Sequence, residues 1–287
     1  MIDNQTAVIL GLVQGLAEFI PISSTAHLRI IPAFMQLKDP GAAYSAVLQL
    51  GTLLSLIVYF RKDLGEFIVA TYRSLFPGEG KRLDFAQFRD WDLDARMPYY
   101  LIVGTIPVSV FGLVLKDFIV GPFRSLYVIS GSLIVLALFL WWADRIGKKE
   151  RTVSSITMLD AFWIGMAQAL ALVPGASRSG TTLMMGLFLG LSRQGSMRFS
   201  FLLSIPAIGL SGVYELIKDF DELQALGLEG LLLGTVVAGL SGYIAVAGLL
   251  RYLRSHSTFI FVAYRILLGI LILVLLGAGW MIDNPAQ

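Results

Sequence analysis

Two short stretches of an otherwise apolar chain carry most of the side chains that could do chemistry. The first, GLVQGLAEFIPISSTAHL, occupies residues 11–28, and the second, GMAQALALVPGASRSGTTL, occupies residues 165–183. Each places a glutamine before a proline and then opens into a cluster of serines and threonines. Together they hold one carboxylate, one imidazole and one guanidinium, which are Glu18, His27 and Arg178. Charged groups are costly to place inside lipid, so we interpret both stretches as parts of one functional site.

The first stretch could hold a metal ion and move a proton. Gln14 and Glu18 are four residues apart and share a helix face, and their oxygens are ligands that Mg²⁺ or Ca²⁺ accepts. Glu18 could instead act as a general acid or base, or make a structural hydrogen bond. Ser24 lies one helical turn before His27, which favours Ser24 as a nucleophile with the imidazole as its base. A water molecule held by Glu18 is the alternative nucleophile.

The second stretch has the composition of an anion-binding loop. Arg178 offers a planar fork that matches phosphate oxygens, and Gly175 allows the backbone to approach a ligand closely. The helix that begins after each proline would also aim its positive end at the same ligand. The competing interpretation is that these serines only cap helices while Arg178 extends to the membrane surface. The positions that we assign to substrate binding are Ser23, Thr25, Gly175, Ser177, Ser179, Thr181 and Thr182.

The overall composition indicates a polytopic helical membrane protein. The chain has 287 residues, of which 56% are hydrophobic and 15% charged, and its mean hydropathy is +0.75. Soluble domains carry about 25% charged residues. The absence of cysteine excludes disulfide and thiol chemistry, and a net charge of +2 spread over loops gives no patch for nucleic acid. The first residues, MIDNQTAVIL, lack the basic region of a cleaved signal peptide.

We predict an all-α fold with six transmembrane helices and two re-entrant helical hairpins. Pro21 and Pro174 interrupt the two motif stretches, and the resulting short helices cannot each cross a bilayer. We therefore place re-entrant hairpins at 4–36 and 158–190, because non-helical backbone at this depth is tolerated where protein buries it. The six predicted spans are 42–60, 97–115, 125–143, 199–217, 228–250 and 258–280.

The two halves of the chain resemble each other beyond the motifs, which predicts one membrane domain over 1–287 built from two repeats. The first repeat covers 1–145 and the second 155–287. Each has one hairpin and three crossings, so the second repeat must be inverted, an arrangement that places a site near the midplane of the membrane. The parallel segments are 44–60 with 199–215, and 101–112 with 231–242.

The distribution of Lys and Arg predicts the orientation. Of the 22 such residues, 15 fall in the loops at 61–97, 144–160, 191–198 and 251–258, which should be cytoplasmic. The first hairpin, and with it the active site, should then open to the periplasm. The segment DLGEFIVATYRSLF predicts an amphipathic helix at the membrane surface. Arg265, near the cytoplasmic end of the last span, is expected to extend its charge towards water.

The two motifs together resemble those of the undecaprenyl-diphosphate phosphatase family of the BacA type. The stretch QGLAEFIPISSTAH at 14–27 is similar to the first motif of that family, and PGASRSGTT at 174–182 to the second. The resemblance implies hydrolysis of undecaprenyl diphosphate, a long-chain isoprenyl diphosphate lipid, to undecaprenyl phosphate. This reaction recycles the carrier lipid of peptidoglycan synthesis and is linked to bacitracin resistance. A divalent cation, Mg²⁺ or Ca²⁺, and a bacterial inner-membrane location are also implied.

The same resemblance assigns roles by position. The functional residues of the family fall on Glu18, Ser24, His27 and Arg178. Gln14 stands where many members have glutamate, which leaves one carboxylate for the cation, and Ala26 replaces the usual glycine. A polyprenyl-phosphate transporter or flippase is the alternative function, because inverted repeats with hairpins at the midplane also build transporters. The sequence does not specify the oligomeric state, and a homodimer is among the states that it allows.

Overall fold

The protein is helical throughout the part of the chain that the computed structural model describes, with no strand there. The described residues are 3–34, 41–76, 88, 90–219, 223 and 227–283. The helices of the first half are α1 (Asn4–Phe19), α2 (Ser24–Phe34), α3 (Gly41–Tyr59), α4 (Arg61–Leu75), α5 (Leu93–Val114), α6 (Lys116–Val120) and α7 (Leu126–Ile146). Those of the second half are α8 (Met158–Ala169), α9 (Arg178–Phe188), α10 (Arg193–Lys218), α11 (Leu228–Tyr252) and α12 (Phe259–Gly277).

Several of these helices are long and apolar enough to cross a membrane. Among the described residues, α5, α7, α10, α11 and α12 each meet this criterion. Helix α3 meets it together with α4, from which it is bent by 71°. The chain is therefore a multi-pass membrane protein, as its composition predicts. The predicted surface helix DLGEFIVATYRSLF forms most of α4, while residues 77–87 of the same predicted loop lie outside the described part.

Both motif stretches fold as two helices separated by a break at a proline. Helix α1 ends at Phe19, and Ile20 takes an extended conformation with φ −65° and ψ 133°. Pro21 favours this conformation, because its ring disfavours helical geometry in the residue before it. In the second stretch a 3₁₀ turn at Leu170–Leu172 follows α8, and the chain leaves it before Pro174. The breaks lie where the prolines predict them, and residues 35–36 of the first predicted hairpin fall outside the described part.

A serine with a left-handed backbone starts the second helix of each pair. The φ angle is 75° at Ser23 and 68° at Ser177, a conformation that non-glycine residues rarely adopt. Each serine Oγ accepts a hydrogen bond from the backbone N–H three residues further on, at 3.4 and 3.3 Å. Both serines are thus N-caps. As a result, Ser24 and Arg178 are the first residues of their helices, α2 and α9.

Glycines bring the first helix of each pair into backbone contact with a long helix. Helix α1 packs on α11, where a side chain at Gly11 would overlap the carbonyl oxygen of Gly234. Helix α8 packs on α5, where a Cβ at Gly165 would lie 2.7 Å from Cα of Gly104. Small residues permit such close helix crossings in membranes. In the sequence comparison of the halves, Gly11 matches Gly165 and Gly104 matches Gly234, so the same contact occurs twice.

The α5–α8 crossing predicts that Gly165→Ala destabilises the protein although alanine is the better helix former. The added methyl group would overlap the backbone of Gly104, so we expect a loss of about 1–3 kcal/mol and a lower thermal unfolding temperature in detergent. Gly248→Ala on α11 is the matched control, because nothing lies within 4 Å of a Cβ there, and it should gain up to about 1 kcal/mol. Equal unfolding temperatures for the two variants would contradict this packing.

Candidate active site

The carboxylate of Glu18 joins the two hairpins. Its Oε1 forms an ion pair with Nη2 of Arg178, the first residue of α9. Its Oε2 accepts a hydrogen bond from Oγ of Ser24, the first residue of α2, at 2.6 Å, and another from Nε2 of Gln14 at 2.8 Å. Glu18 is only 7% exposed, and these partners compensate its buried charge. The positive ends of α2 and α9 therefore meet at one carboxylate.

Gln14 and Glu18 are the groups that could hold a divalent cation here. Gln14 is fully buried, and its Oε1 has no hydrogen-bond partner in the described part of the chain. A buried carbonyl oxygen without a donor is unfavourable by itself and is a ligand that hard cations accept. No cluster of three or more acidic or histidine side chains suited to a metal occurs among the described residues. The set fits a cation bound mainly by phosphate oxygens, as Mg²⁺ commonly is.

His27 is not the base that contacts Ser24. Its Nδ1 lies 2.7 Å from the carbonyl oxygen of Ser23, and its Nε2 lies 2.6 Å from the hydroxyl of Tyr264 on α12. The expected Ser24–His27 pair is therefore absent from this structure, and the Ser24 hydroxyl donates to Glu18 instead. Spacing along a helix places two side chains on one side of it, but other partners decide where an imidazole turns. The carboxylate in contact with Ser24 is that of Glu18.

The predicted binding residues at the tip of the second hairpin differ in what they contact. Ser177 and Ser179 are buried beside each other, with their Oγ atoms 3.3 Å apart. Gly175 has a φ of 91°, and a side chain there would overlap Oγ of Ser132 on α7. The Ser132 hydroxyl also donates to the carbonyl oxygen of Pro174 at 2.6 Å. Gly175 thus serves the packing of the tip against α7, whereas the two serines lie beside the first turn of α9.

The hydroxyls of Thr181 and Thr182 turn towards protein groups. Both donate to the carbonyl oxygen of Arg178, at 3.1 and 2.7 Å, and Oγ1 of Thr182 also lies 2.6 Å from Oγ of Ser200 on α10. The sequence predicts them as donors to a substrate, but these hydrogen bonds already satisfy them. Threonine commonly makes this bond to the carbonyl one turn back, and composition alone does not reveal it.

Thr25 lies on the wall of a cavity of about 200 Å³ between the two hairpins. Residues of α2, α3, α7 and the break before α9 line it, and its polar wall residues include Arg29, Gln49 and Arg124. Thr25 is exposed, unlike its neighbour Ser24, which is 9% exposed. Both residues therefore lie at the start of α2, where Ser24 donates a hydrogen bond to Glu18 and Thr25 lines the cavity.

Arg265 was predicted to extend towards water, and this prediction is wrong. Its side chain is fully buried, and Nη2 donates to the carbonyl oxygens of Gly175 and Ala176 at 3.1 and 2.9 Å. Its Nη1 lies against the first turn of α9, since a Cβ on Gly180 would be 2.7 Å away. The break at the proline frees carbonyl groups from helical hydrogen bonds, and the guanidinium satisfies them. The only sequence signal was an arginine, next to Tyr264, within an apolar span.

Comparison with known proteins gives a consistent result along the chain. The family model described as "Bacitracin resistance protein BacA" matches residues 7–271. A protein of Myxococcus xanthus (strain DK1622) is 52% identical over 273 residues, which cover 95% of this chain and 89% of that protein. One of Chloroherpeton thalassium is 47% identical over 96% of this chain and 98% of its own length, and one of Gloeobacter violaceus is 47% identical over 96% and 93%. All three carry the name undecaprenyl-diphosphatase.

The buried guanidinium predicts that Arg265→Met lowers stability. Two carbonyl groups of the second hairpin would lose their donor, and each buried group left unsatisfied costs about 1–3 kcal/mol. Thermal unfolding in detergent measures the loss. Arg254→Met, at an exposed position after α11, removes the same charge and should leave the unfolding temperature unchanged. An Arg265→Met variant that unfolds at the wild-type temperature would disprove the structural role of this contact.

Proposed function

The chain belongs to the BacA family and is an undecaprenyl-diphosphatase, and we propose that it hydrolyses its substrate where Glu18 joins the tips of its two hairpins. The observation that carries this proposal is the shared carboxylate, which holds a hydroxyl on one side and a guanidinium on the other. Phosphoryl transfer through a covalent intermediate uses a nucleophile, a base that takes its proton, and a positively charged side chain that binds the phosphate. Ser24, Glu18 and Arg178 supply them within one contact set.

Arg178 and the two helix starts would bind the diphosphate. Only Nη2 of Arg178 pairs with Glu18, and its other guanidinium nitrogens donate to no acceptor among the described residues. A diphosphate can therefore engage the planar fork, with the positive ends of α2 and α9 adding to the attraction. Ser177 and Ser179, beside the first turn of α9, and Ser23 and Thr25, beside that of α2, are the proposed accessory contacts. Most of the catalytic effect in such sites comes from positioning and charge stabilisation.

Glu18 would activate Ser24. As Oγ attacks the terminal phosphorus, its proton passes to Glu18, a bond forms between Oγ and phosphorus, and the bond to the bridging oxygen breaks. Undecaprenyl phosphate leaves with that electron pair. Water then attacks the phosphoserine, Glu18 returns its proton to Oγ, and both water protons end on the released inorganic phosphate. The hydrogen bond of 2.6 Å between Ser24 and Glu18 supports this order of events over direct attack by a water molecule.

A divalent cation, Mg²⁺ or Ca²⁺, is part of the proposal. Gln14 and Glu18 would hold it, since Oε1 of Gln14 is buried without a partner among the described residues. When bound, it would neutralise charge on the diphosphate. Because this chain offers one carboxylate there, the phosphate oxygens must complete the coordination. The cation would therefore bind far more tightly with the substrate than without it.

We also propose an architecture of two inverted repeats, 1–145 and 155–287, with re-entrant hairpins and six spans in the inner membrane. The twofold occurrence of the glycine contact supports it, since α1 packs on α11 as α8 packs on α5. The loops predicted to be cytoplasmic carry most of the Lys and Arg residues, which supports an active site that opens to the other side of the membrane, the periplasm. The cavity beside Thr25 would then admit the lipid headgroup from that side.

The flippase alternative is not favoured. The relatives are named for hydrolysis, and a hydroxyl hydrogen-bonded to a carboxylate is more than binding alone requires. Movement of the lipid without release of phosphate would be the observation in its favour.

Purified protein in detergent is expected to release inorganic phosphate from undecaprenyl diphosphate. Arg178→Ala should lower this rate at least ~100-fold, because it removes the main charge-stabilising group. Arg251→Ala, at an exposed position on α11, is the control and should match the wild type. EDTA should abolish release, and added Mg²⁺ or Ca²⁺ should restore it. Wild-type rates in Arg178→Ala would exclude this site, and lipid movement in vesicles without phosphate release would indicate a flippase.

A phosphoserine at position 24 should be detectable during turnover. With substrate labelled at the terminal phosphate, rapid acid quenching followed by peptide mass spectrometry is expected to locate the label on Ser24. His27→Gln should increase its amount, because in the proposed second step the imidazole takes a proton from the attacking water and passes it to the phosphate. Ser24→Ala in the same background is the control that must lose the label. Normal turnover with no covalent label would show instead that water held by Glu18 is the nucleophile.

A further inference from the structure

The imidazole of His27 is fixed at both ring nitrogens. Nδ1 lies 2.7 Å from the carbonyl oxygen of Ser23, and Nε2 lies 2.6 Å from the hydroxyl of Tyr264. A carbonyl oxygen can only accept a hydrogen bond, so Nδ1 must carry the proton. In the neutral ring Nε2 is then the acceptor, and the Tyr264 hydroxyl is the donor. These two contacts together select one tautomer.

Tyr264 also fixes the plane of the ring. The two rings lie side by side in nearly parallel planes, with centroids 5.6 Å apart and planes only 9° from parallel. One side chain thus supplies a hydrogen bond close to the plane of the imidazole, to a histidine that is 9% exposed. The tyrosine lies 237 residues away from His27 in the sequence, on the last helix.

The next residue anchors the helix that presents Tyr264. Arg265 is fully buried and donates to the carbonyl oxygens of Gly175 and Ala176 in the second hairpin. Consecutive residues of α12 therefore contact opposite hairpins, one through a phenol and the other through a guanidinium. The orientation of His27 in the first hairpin depends in this way on the position of the second.

We propose that Tyr264 is a positioning residue of the phosphatase, which holds His27 with Nε2 as its basic nitrogen. The proposal rests on the function proposed above and deepens it. Nε2 is then the nitrogen that can accept a further proton, and it does so when the Tyr264 hydroxyl turns to become the acceptor of that hydrogen bond. Nδ1 is committed to the backbone of Ser23. Tyr264 acts through His27 and needs no contact with the substrate.

Kinetics separate the hydroxyl from the ring of Tyr264. Tyr264→Phe keeps the aromatic ring and loses the hydrogen bond, so we expect kcat to fall about tenfold with KM changed less than twofold. Tyr264→Leu loses the hydrogen bond and the ring and should lower kcat further. Tyr127→Phe, an exposed tyrosine on α7, is the matched control and should behave as the wild type. An unchanged kcat in Tyr264→Phe would overturn the proposal.

Nitrogen NMR of the imidazole gives a readout that a general loss of stability would not produce. The chain has only two histidines, and His256→Gln leaves His27 as the single signal. In ¹⁵N-histidine-labelled protein we expect a protonated Nδ1 and a hydrogen-bonded, unprotonated Nε2. Tyr264→Phe should move only the Nε2 resonance, to the position of a nitrogen without a donor.

The outcomes distinguish this inference from the function on which it rests. If the spectrum of protein with an unchanged Tyr264 shows the proton of His27 on Nε2, the inference is overturned. This measurement decides even when Tyr264→Phe fails to fold. Wild-type protein that shows the expected spectrum but releases no phosphate would overturn the proposed function and leave the contact intact. Thermal unfolding of each variant confirms that it is folded when its spectrum and rate are measured.

Discussion

A carboxylate buried within a membrane protein cannot be left unpaired, and the arrangement around Glu18 meets this constraint. The Born cost of an isolated charge in such surroundings far exceeds the stability of a typical fold, so partners must come from nearby. Here they come from two directions, with Ser24 and Gln14 on the same hairpin and Arg178 on the other. The pairing that makes Glu18 tolerable also brings the two hairpin tips together. Structural cohesion and catalytic geometry therefore have one physical origin.

The same constraint shapes the resting state of the site. Arg178 and Glu18 neutralise each other before a ligand arrives. A diphosphate would engage the guanidinium nitrogens that do not pair with Glu18, while Oε2 of Glu18 keeps its hydrogen bond to Ser24. The ion pair thus keeps both charges in place without a substrate, and the contact between Glu18 and Ser24 is already formed beside it.

Local rules explain which parts of this arrangement the sequence could predict. Pro21 and Pro174 act on their immediate neighbours, so the helix breaks lie where expected. Glu18 and Arg178 stood out because charges are rare in an apolar chain, and the fold brings them into contact. The contacts that could not be predicted join segments far apart. No local pattern links Tyr264 to His27 or Arg265 to Gly175. The expectation that an arginine near the end of a span extends its charge towards water gave the wrong environment for Arg265.

Side-chain direction was a second limit on prediction. Ser24 and His27 have the spacing of a nucleophile and its base, yet the ring turns to Ser23 and Tyr264. Thr181 and Thr182 have the composition of phosphate donors, yet their hydroxyls bond to the preceding turn of α9. The close fit of Arg265 against Gly180 has an evolutionary consequence. A side chain at position 180 would overlap the arginine at position 265. Related proteins should therefore keep both the glycine and the arginine or replace both. The equivalent position in the first hairpin, Ala26, is fully buried in an apolar cluster with Ile129 and Ile272.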